Sequence, residues 1–178
     1  PIVEDDAYGG LAFDQSVDTS PLKKMDQADQ IIYLGTLSKL AGNHLRIGWM
    51  VGPRTVMKSL ADIRIQIDSE LSFLPQFMAD HFLRTEMEEH QQNIRKTLAN
   101  RARNLETWLQ KEFGSDIAFS PSKGGFHLYC QFSNKTREEV EKILYELLDK
   151  NVIVLEGKKF GAQTNGFRLS FTHFEKEF

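Results

Sequence analysis

Apolar positions along this 178-residue chain switch between two spacings, and the switches outline its elements. "PIV" at the start, "QIIYL" at 30–34 and "LRIGWMV" at 45–51 are short β-branched or aromatic runs with polar or glycine neighbours, which predicts strands. The link between the last two is shorter than the dozen or so residues a parallel crossover needs, so they should pair antiparallel. Between them and "PIV" lies a polar stretch, "SPLKKMDQADQ", that reads as a loop with a short helix. From 53 the spacing lengthens. "PRTVMKSLADIRIQID" opens on Pro and repeats apolar residues at Val56, Leu60, Ile63 and Ile67, a helical period. "LSFLPQFMADHFLRTE" does the same with Phe73, Phe77 and Phe82. A long, charge-rich helix follows over roughly 87–112, with Ile94, Leu98, Ala102, Leu105 and Leu109 on one stripe.

Past Gly114 the order changes. "IAFSPSKGGFHLYCQF" reads as two strands around a glycine turn, and "VIVLEG" and "GFRLSFT" as two more. Between them "TREEVEKILYELLDKN" opens with Thr136 and Glu139 as a capping box and sets Val140, Ile143, Leu144, Leu147 and Leu148 on one face. The aromatics Phe73, Phe77, Phe82, Trp108 and Phe160 are read as core, His127 as a packed side chain, and His81 and His90 as ordinary partly exposed helix residues. The pattern is α/β: a first part with strands and helices at 1–112, including the long linking helix, and a compact α+β part at 113–178.

Composition narrows the class. Charged residues at 26%, hydrophobic residues at 40% and a net charge of −3 are ordinary for a soluble globular protein and give no basic nucleic-acid surface. A single cysteine, Cys130, makes no internal disulfide and points to a reducing, cytoplasmic setting. No apolar run reaches the roughly 18 residues of a membrane span. The chain opens on Pro inside a strand-like run, as a piece of a longer protein would.

Candidate chemistry gathers in "GTLSKLAGNHLRIGW", where Lys39 and Arg46 flank the link between two strands. Strand ends are where α/β proteins place working residues. Arg46 offers a rigid fork suited to phosphate, and Thr36 and Ser38 add hydroxyls. Two cations at one sheet edge make sense if they share an anion, or if one gives up its proton. A like charge disfavours a protonated amine, and a neutral lysine attacks carbonyl carbons. A solvated lysine beside a surface arginine is the bland alternative. "EDDAYGGL" adds carboxylates at the end of the first strand and a tyrosine three residues after Asp5. A nucleophilic lysine, a phosphate clamp, a carboxylate and a phenol together describe a pyridoxal 5′-phosphate site, whose ring nitrogen a carboxylate keeps protonated. A serine–lysine hydrolase using Ser38 or Thr36 would leave Asp5, Tyr8, Arg46 and Arg168 without a role. The five histidines show no paired metal-ligand spacing, so no metal is expected.

"PIVEDDAYGGL", "YLGTLSKLAGNHLRIGWMVGP" and "NGFRLSF" together resemble the C-terminal half of a fold-type I, class I/II pyridoxal-phosphate-dependent aminotransferase. The resemblance covers nearly the whole chain. It implies part of a mixed large-domain sheet with helices over 1–112, and a small α+β domain over 113–178 that stops before its last helix. It implies that Asp5 pairs with the ring nitrogen, Asp6 being the other candidate, and that Tyr8 reaches the ring hydroxyl. By the same resemblance Thr36, Ser38 and Arg46 hold the phosphate, Lys39 carries the cofactor covalently, and Arg168 grips a substrate carboxylate. Two functions share this pattern. One is a free-standing aminotransferase, of the kind acting on 2-aminoadipate, aromatic amino acids or kynurenine, that moves an amino group between an amino acid and a 2-oxo acid as a homodimer. The other is the aminotransferase-like effector domain of a GntR/MocR transcription regulator, which binds the cofactor to sense an amine or vitamin B6 and meets DNA through a separate N-terminal domain. The family's phosphate loop and ring-stacking aromatic fall upstream of these residues, so the chain by itself is expected to be inactive and to hold the cofactor weakly.

Overall fold

The computed structural model describes residues 1–68, 70, 72–150, 152–161 and 165–175. Leu71 of the second expected helix, Asn151 at the expected end of the capped helix, and 176–178 of "HFEKEF" lie outside them. Two compact units divide the chain, Pro1–Arg95 and Lys96–Phe178.

In the first unit, β1 (Ile2–Asp5), β2 (Ile31–Thr36) and β3 (Gly48–Val51) form one sheet in that order. β1 and β2 run parallel, with Asp5 opposite Leu34. β2 and β3 run antiparallel, as their short link requires, with Thr36 opposite Gly48. β3 starts later than the apolar run beginning at 45, because Arg46 takes a left-handed φ of 52° that no extended ladder accepts. Trp49 faces Gly35 across the β2–β3 pair; a Cβ on Gly35 would lie 2.3 Å from the indole Cε2, so the close approach needs glycine.

Carboxylates organise the crossover from β1 to β2. Glu4 accepts the N–H groups of Leu22 (2.6 Å) and Lys23 (2.9 Å), tying a 3-10 turn at Leu22–Met25 to β1. Asp26 accepts from the N–H groups of Gln30 (3.0 Å) and Ile31 (2.8 Å) and from Lys23 Nζ (2.9 Å). Those bonds, the backbone ones first, hold its carboxyl down to about 2 and fix the entry to β2.

Three helices follow: α1 (Arg54–Ile67), α2 (Phe73–Thr85) and α3 (Met87–Phe113). The helical periods are as the sequence predicts, and Val56, Leu60 and Phe82 are half-buried, but the described residues leave the C-terminal end of the α1 face and the N-terminal end of the α2 face uncovered. Ile67 and Phe73 are 81% and 76% exposed, and Ile63 and Phe77 are also mostly exposed. Reading Phe73 and Phe77 as core is therefore corrected; they stack on each other at 6.0 Å.

The second unit is a four-stranded antiparallel sheet in the order β4 (Ile117–Phe119), β5 (His127–Phe132), β7 (Gly166–Ser170), β6 (Leu155–Glu156). Leu98, Ala102, Leu105 and Leu109 of α3 are buried, as are Leu128 and Cys130 of β5 with Tyr129 exposed between them, the alternation of a half-buried strand. Each such leucine contributes about 1.5–3 kcal/mol. α4 (Arg137–Asp149) carries the expected capping box: Thr136 Oγ1 accepts from Glu139 N–H, and Glu139 Oε2 from Thr136 N–H. Its apolar face is narrower than the spacing predicts, with Val140 buried and Leu148 exposed. β6 is shorter than "VIVLEG" because only Leu155 and Glu156 meet partners on β7, opposite Arg168 and Phe167. Phe160 is half-exposed rather than core.

Candidate functional site

Parallel pairing of β1 and β2 delivers their C-terminal ends to one edge of the sheet. Two loops leave that edge, one after Asp5 and one after Thr36, and they carry six of the seven residues singled out from the sequence.

Asp5 ends β1. It is exposed, and its Oδ1 accepts the N–H of Ala7 at 3.2 Å, the local turn Asp favours. Asp6 continues the ladder through its N–H to Leu34 O (3.0 Å), and its half-buried Oδ2 accepts the Tyr33 hydroxyl at 2.8 Å. Burial first, and then that bond, push the Tyr33 phenol up to about 12. Adjacent carboxylates thus differ: Asp6 is engaged inside the fold, Asp5 faces outward. Gly9 leaves Asp6 its space, since a Cβ there would lie 2.1 Å from Oδ1.

Tyr8 opens a 3-10 turn at Gly9–Leu11, and its ring centroid lies 5.5 Å from Lys39 Nζ, within cation–π range. The turn around Lys39 is tightly bonded. Thr36 Oγ1 donates to Ile47 O (3.1 Å) and accepts the Ser38 N–H (3.1 Å). Leu37 N–H reaches Ile47 O (3.0 Å), while Leu40 and Ala41 N–H both reach Leu37 O. Leu37 itself is fully buried and pins the turn to the core. The single Thr36 hydroxyl proton is therefore used inside the loop. Arg46 is exposed. Among the described residues no carboxylate lies within ion-pair distance of Lys39 or Arg46, so both cations can serve an anionic ligand.

Arg168 stands on β7 in the second unit, between Tyr129 of β5 and Leu155 of β6, with its Cζ 4.5 Å from the Phe160 ring centroid. Its fork is thereby held against an aromatic face. Cys130 is buried, which pushes its thiol up to about 12 and removes it as a nucleophile. Among the described residues no three His, Cys, Asp or Glu side chains gather as a metal site, and no helix is long and apolar enough to cross a membrane.

Sequence reasoning missed four residues. Tyr33, the partner of Asp6, looks like any strand aromatic. His90, Gln91 and Arg95 reach from α3 into the two loops. His90 Nε2 donates to Leu40 O (2.7 Å), and Gln91 Nε2 and Arg95 Nε both donate to Gly10 O (2.9 Å each). Polar residues on a helix carry no local signal for partners this distant in sequence.

The family model described as aminotransferase class I and II matches residues 1–178. Among curated proteins the chain is similar to the uncharacterized HTH-type transcriptional regulator YisV of Bacillus subtilis, with 37% identity over 97% of this chain and 36% of that one. It is similar also to the HTH-type transcriptional regulator NorG of Staphylococcus aureus, with 29% identity over 99% of this chain and 40% of that one. Among solved structures, kynurenine aminotransferase of Pyrococcus horikoshii, in complex with PMP, superposes with a TM-score of 0.87 at 26% identity. That match covers 97% of this chain and 43% of the enzyme. The chain thus spans well under half the length of each of these proteins.

Proposed function

Because this chain belongs to the aminotransferase class I and II family, we propose that it forms the lysine-bearing part of a pyridoxal 5′-phosphate site. The observation that carries this is the placement of Lys39 Nζ 5.5 Å from the Tyr8 ring, on two loops that leave one sheet edge beside an exposed Asp5. The donor set fits the group: an amine for its aldehyde, a carboxylate for its ring nitrogen, a phenol for its ring oxygen, and a guanidinium and hydroxyl for its phosphate. When bound, pyridoxal phosphate supplies the aldehyde carbon that joins a lysine and a ring that draws electrons from a ligand's α-carbon. Lys39 presents the amine and, when released, carries a proton at Nζ. Asp5 holds a proton on the ring nitrogen. Arg46 and Ser38 bind the phosphate, and Thr36 shapes the loop that presents them. Arg168, its planar fork resting on the Phe160 ring, binds a ligand carboxylate through two parallel bonds.

Within that reading, the intact protein is an amino-compound sensor whose cofactor domain acts on a DNA-binding segment. Relatives named as HTH-type regulators at 37% and 29% identity support it. The likeness to an aminotransferase at 26% supports a second reading, amino-group transfer between an amino acid and a 2-oxo acid in a homodimer. Borohydride reduction of the intact, cofactor-loaded protein tests the shared core: the phosphopyridoxyl mass is expected on the peptide containing Lys39. Finding it on Lys123 or Lys159 overturns the assignment. Keto-acid production from a panel of amino acids, set against ligand-dependent DNA retardation, separates enzyme from sensor.

A further inference from the structure

We infer that His90 of α3 is a positioning residue for Lys39, an inference that rests on reading Lys39 as the cofactor lysine. The Leu40 carbonyl held by His90 follows Lys39 directly, and the Gly10 carbonyl held by Gln91 and Arg95 is two residues past Tyr8. One face of one helix therefore grips both loops immediately beside the pair that faces each other at 5.5 Å. The loops also touch. A Cβ on Gly10 would fall 2.9 Å from Leu40 Cδ1 and 3.0 Å from Gln91 Nε2, so the Tyr8 loop, the Lys39 loop and α3 meet at one point.

The chemistry of the His90 bond sets its role. A carbonyl only accepts, so Nε2 carries the hydrogen and donates it to Leu40 O. Phe82 meets the imidazole edge-on at 5.4 Å and holds the ring in that orientation. Without the donor, the part-buried Leu40 carbonyl must turn toward water, and Lys39 turns with it.

Two substitutions in the intact protein test the brace. His90→Leu keeps bulk and removes the donor, while His90→Gln returns an N–H near the position of Nε2. In cofactor-free protein, amide exchange across 37–41 is expected to quicken about tenfold in His90→Leu and to return near the wild-type rate in His90→Gln. The pyridoxal phosphate dissociation constant should follow the same order, about tenfold weaker and then restored. Unchanged exchange in His90→Leu, or failure of His90→Gln to restore it, overturns the inference. Wild-type protein that takes up no pyridoxal phosphate would sink the proposed function alone, because the cofactor-free exchange still decides the brace.

Discussion

Asp5 and Asp6 are neighbours in sequence and opposites in environment, and a pair of amide substitutions should separate their roles. Asp6→Asn keeps an acceptor opposite the Tyr33 hydroxyl, now 2.8 Å from Oδ2, but removes its charge. A hydrogen bond to a charged group contributes about 1.5–3 kcal/mol and a neutral one about 0.5–1.5, so the loss should be about 1 kcal/mol of stability. Asp5→Asn keeps the local bond to the Ala7 N–H, and at an exposed position it should stay within about 0.5 kcal/mol. Their effects on the cofactor should be reversed. Losing the Asp5 charge proposed for the ring nitrogen should weaken pyridoxal phosphate about 10- to 100-fold, and Asp6→Asn should change it only a few-fold. Urea unfolding and cofactor titration of the intact protein read the two quantities separately. If Asp6→Asn loses the cofactor while Asp5→Asn keeps it, the three-residue spacing to Tyr8 points to the wrong carboxylate.

Tyr33 ionises near 10 in an unfolded chain but only at about 12 in the fold, so its contribution is full below pH 10 and drains away as pH rises through 12. Tyr33→Phe should flatten the alkaline fall in urea midpoint, and an unchanged slope would count against the burial and the Asp6 bond. Asp26 has the opposite sign: its carboxyl, held down to about 2 from 3.8, contributes above 3.8 and is lost as pH falls through 2. Asp26→Asn should lower stability at neutral pH and flatten the acid limb; parallel wild-type and variant curves would refute this. Gly35→Ala drives a methyl into the Trp49 indole and should cost about 1–3 kcal/mol with a shift in tryptophan emission, neither of which should appear if the ring has room to move. Phe160→Leu should weaken carboxylate ligands by about 0.5–1 kcal/mol through loss of the stack under Arg168, and unaltered affinity would show the stack to be incidental.

Periodicity was a sound guide to which elements form and a poor one to what covers them. The stripe Leu98, Ala102, Leu105 and Leu109 is buried as its spacing predicts. Ile63, Ile67, Phe73 and Phe77 repeat with the same helical period and stay exposed. A hydrophobic period reports that one face of an element is apolar, and says nothing about which surface meets that face. Strand limits failed for local reasons. A left-handed Arg46 delays β3, and β6 shrinks to the two residues that find partners on β7, neither of which composition reveals.

The site divides along the same line. "EDDAYGGL" and "GTLSKLAG" name the residue types for a lysine-bound cofactor, yet only the parallel register, with Asp5 opposite Leu34, makes neighbours of loops some thirty positions apart. Once that pairing is set, Tyr8 and Lys39 each lie a few residues beyond a strand end, and their approach follows from topology. The orientation of Lys39 does not follow from it. A loop leaving a strand can turn either way, and here the turn is fixed by Thr36 bonding Ile47 O from within and by His90 holding Leu40 O from α3. The first of these bonds is written in the "GTLS" stretch itself. The second spans fifty residues and ends on a backbone carbonyl, an acceptor that every residue possesses. Side chains that act on carbonyls leave no matching residue type in the partner segment, so supports of this kind stay hidden in a sequence even where the candidate lysine is plain.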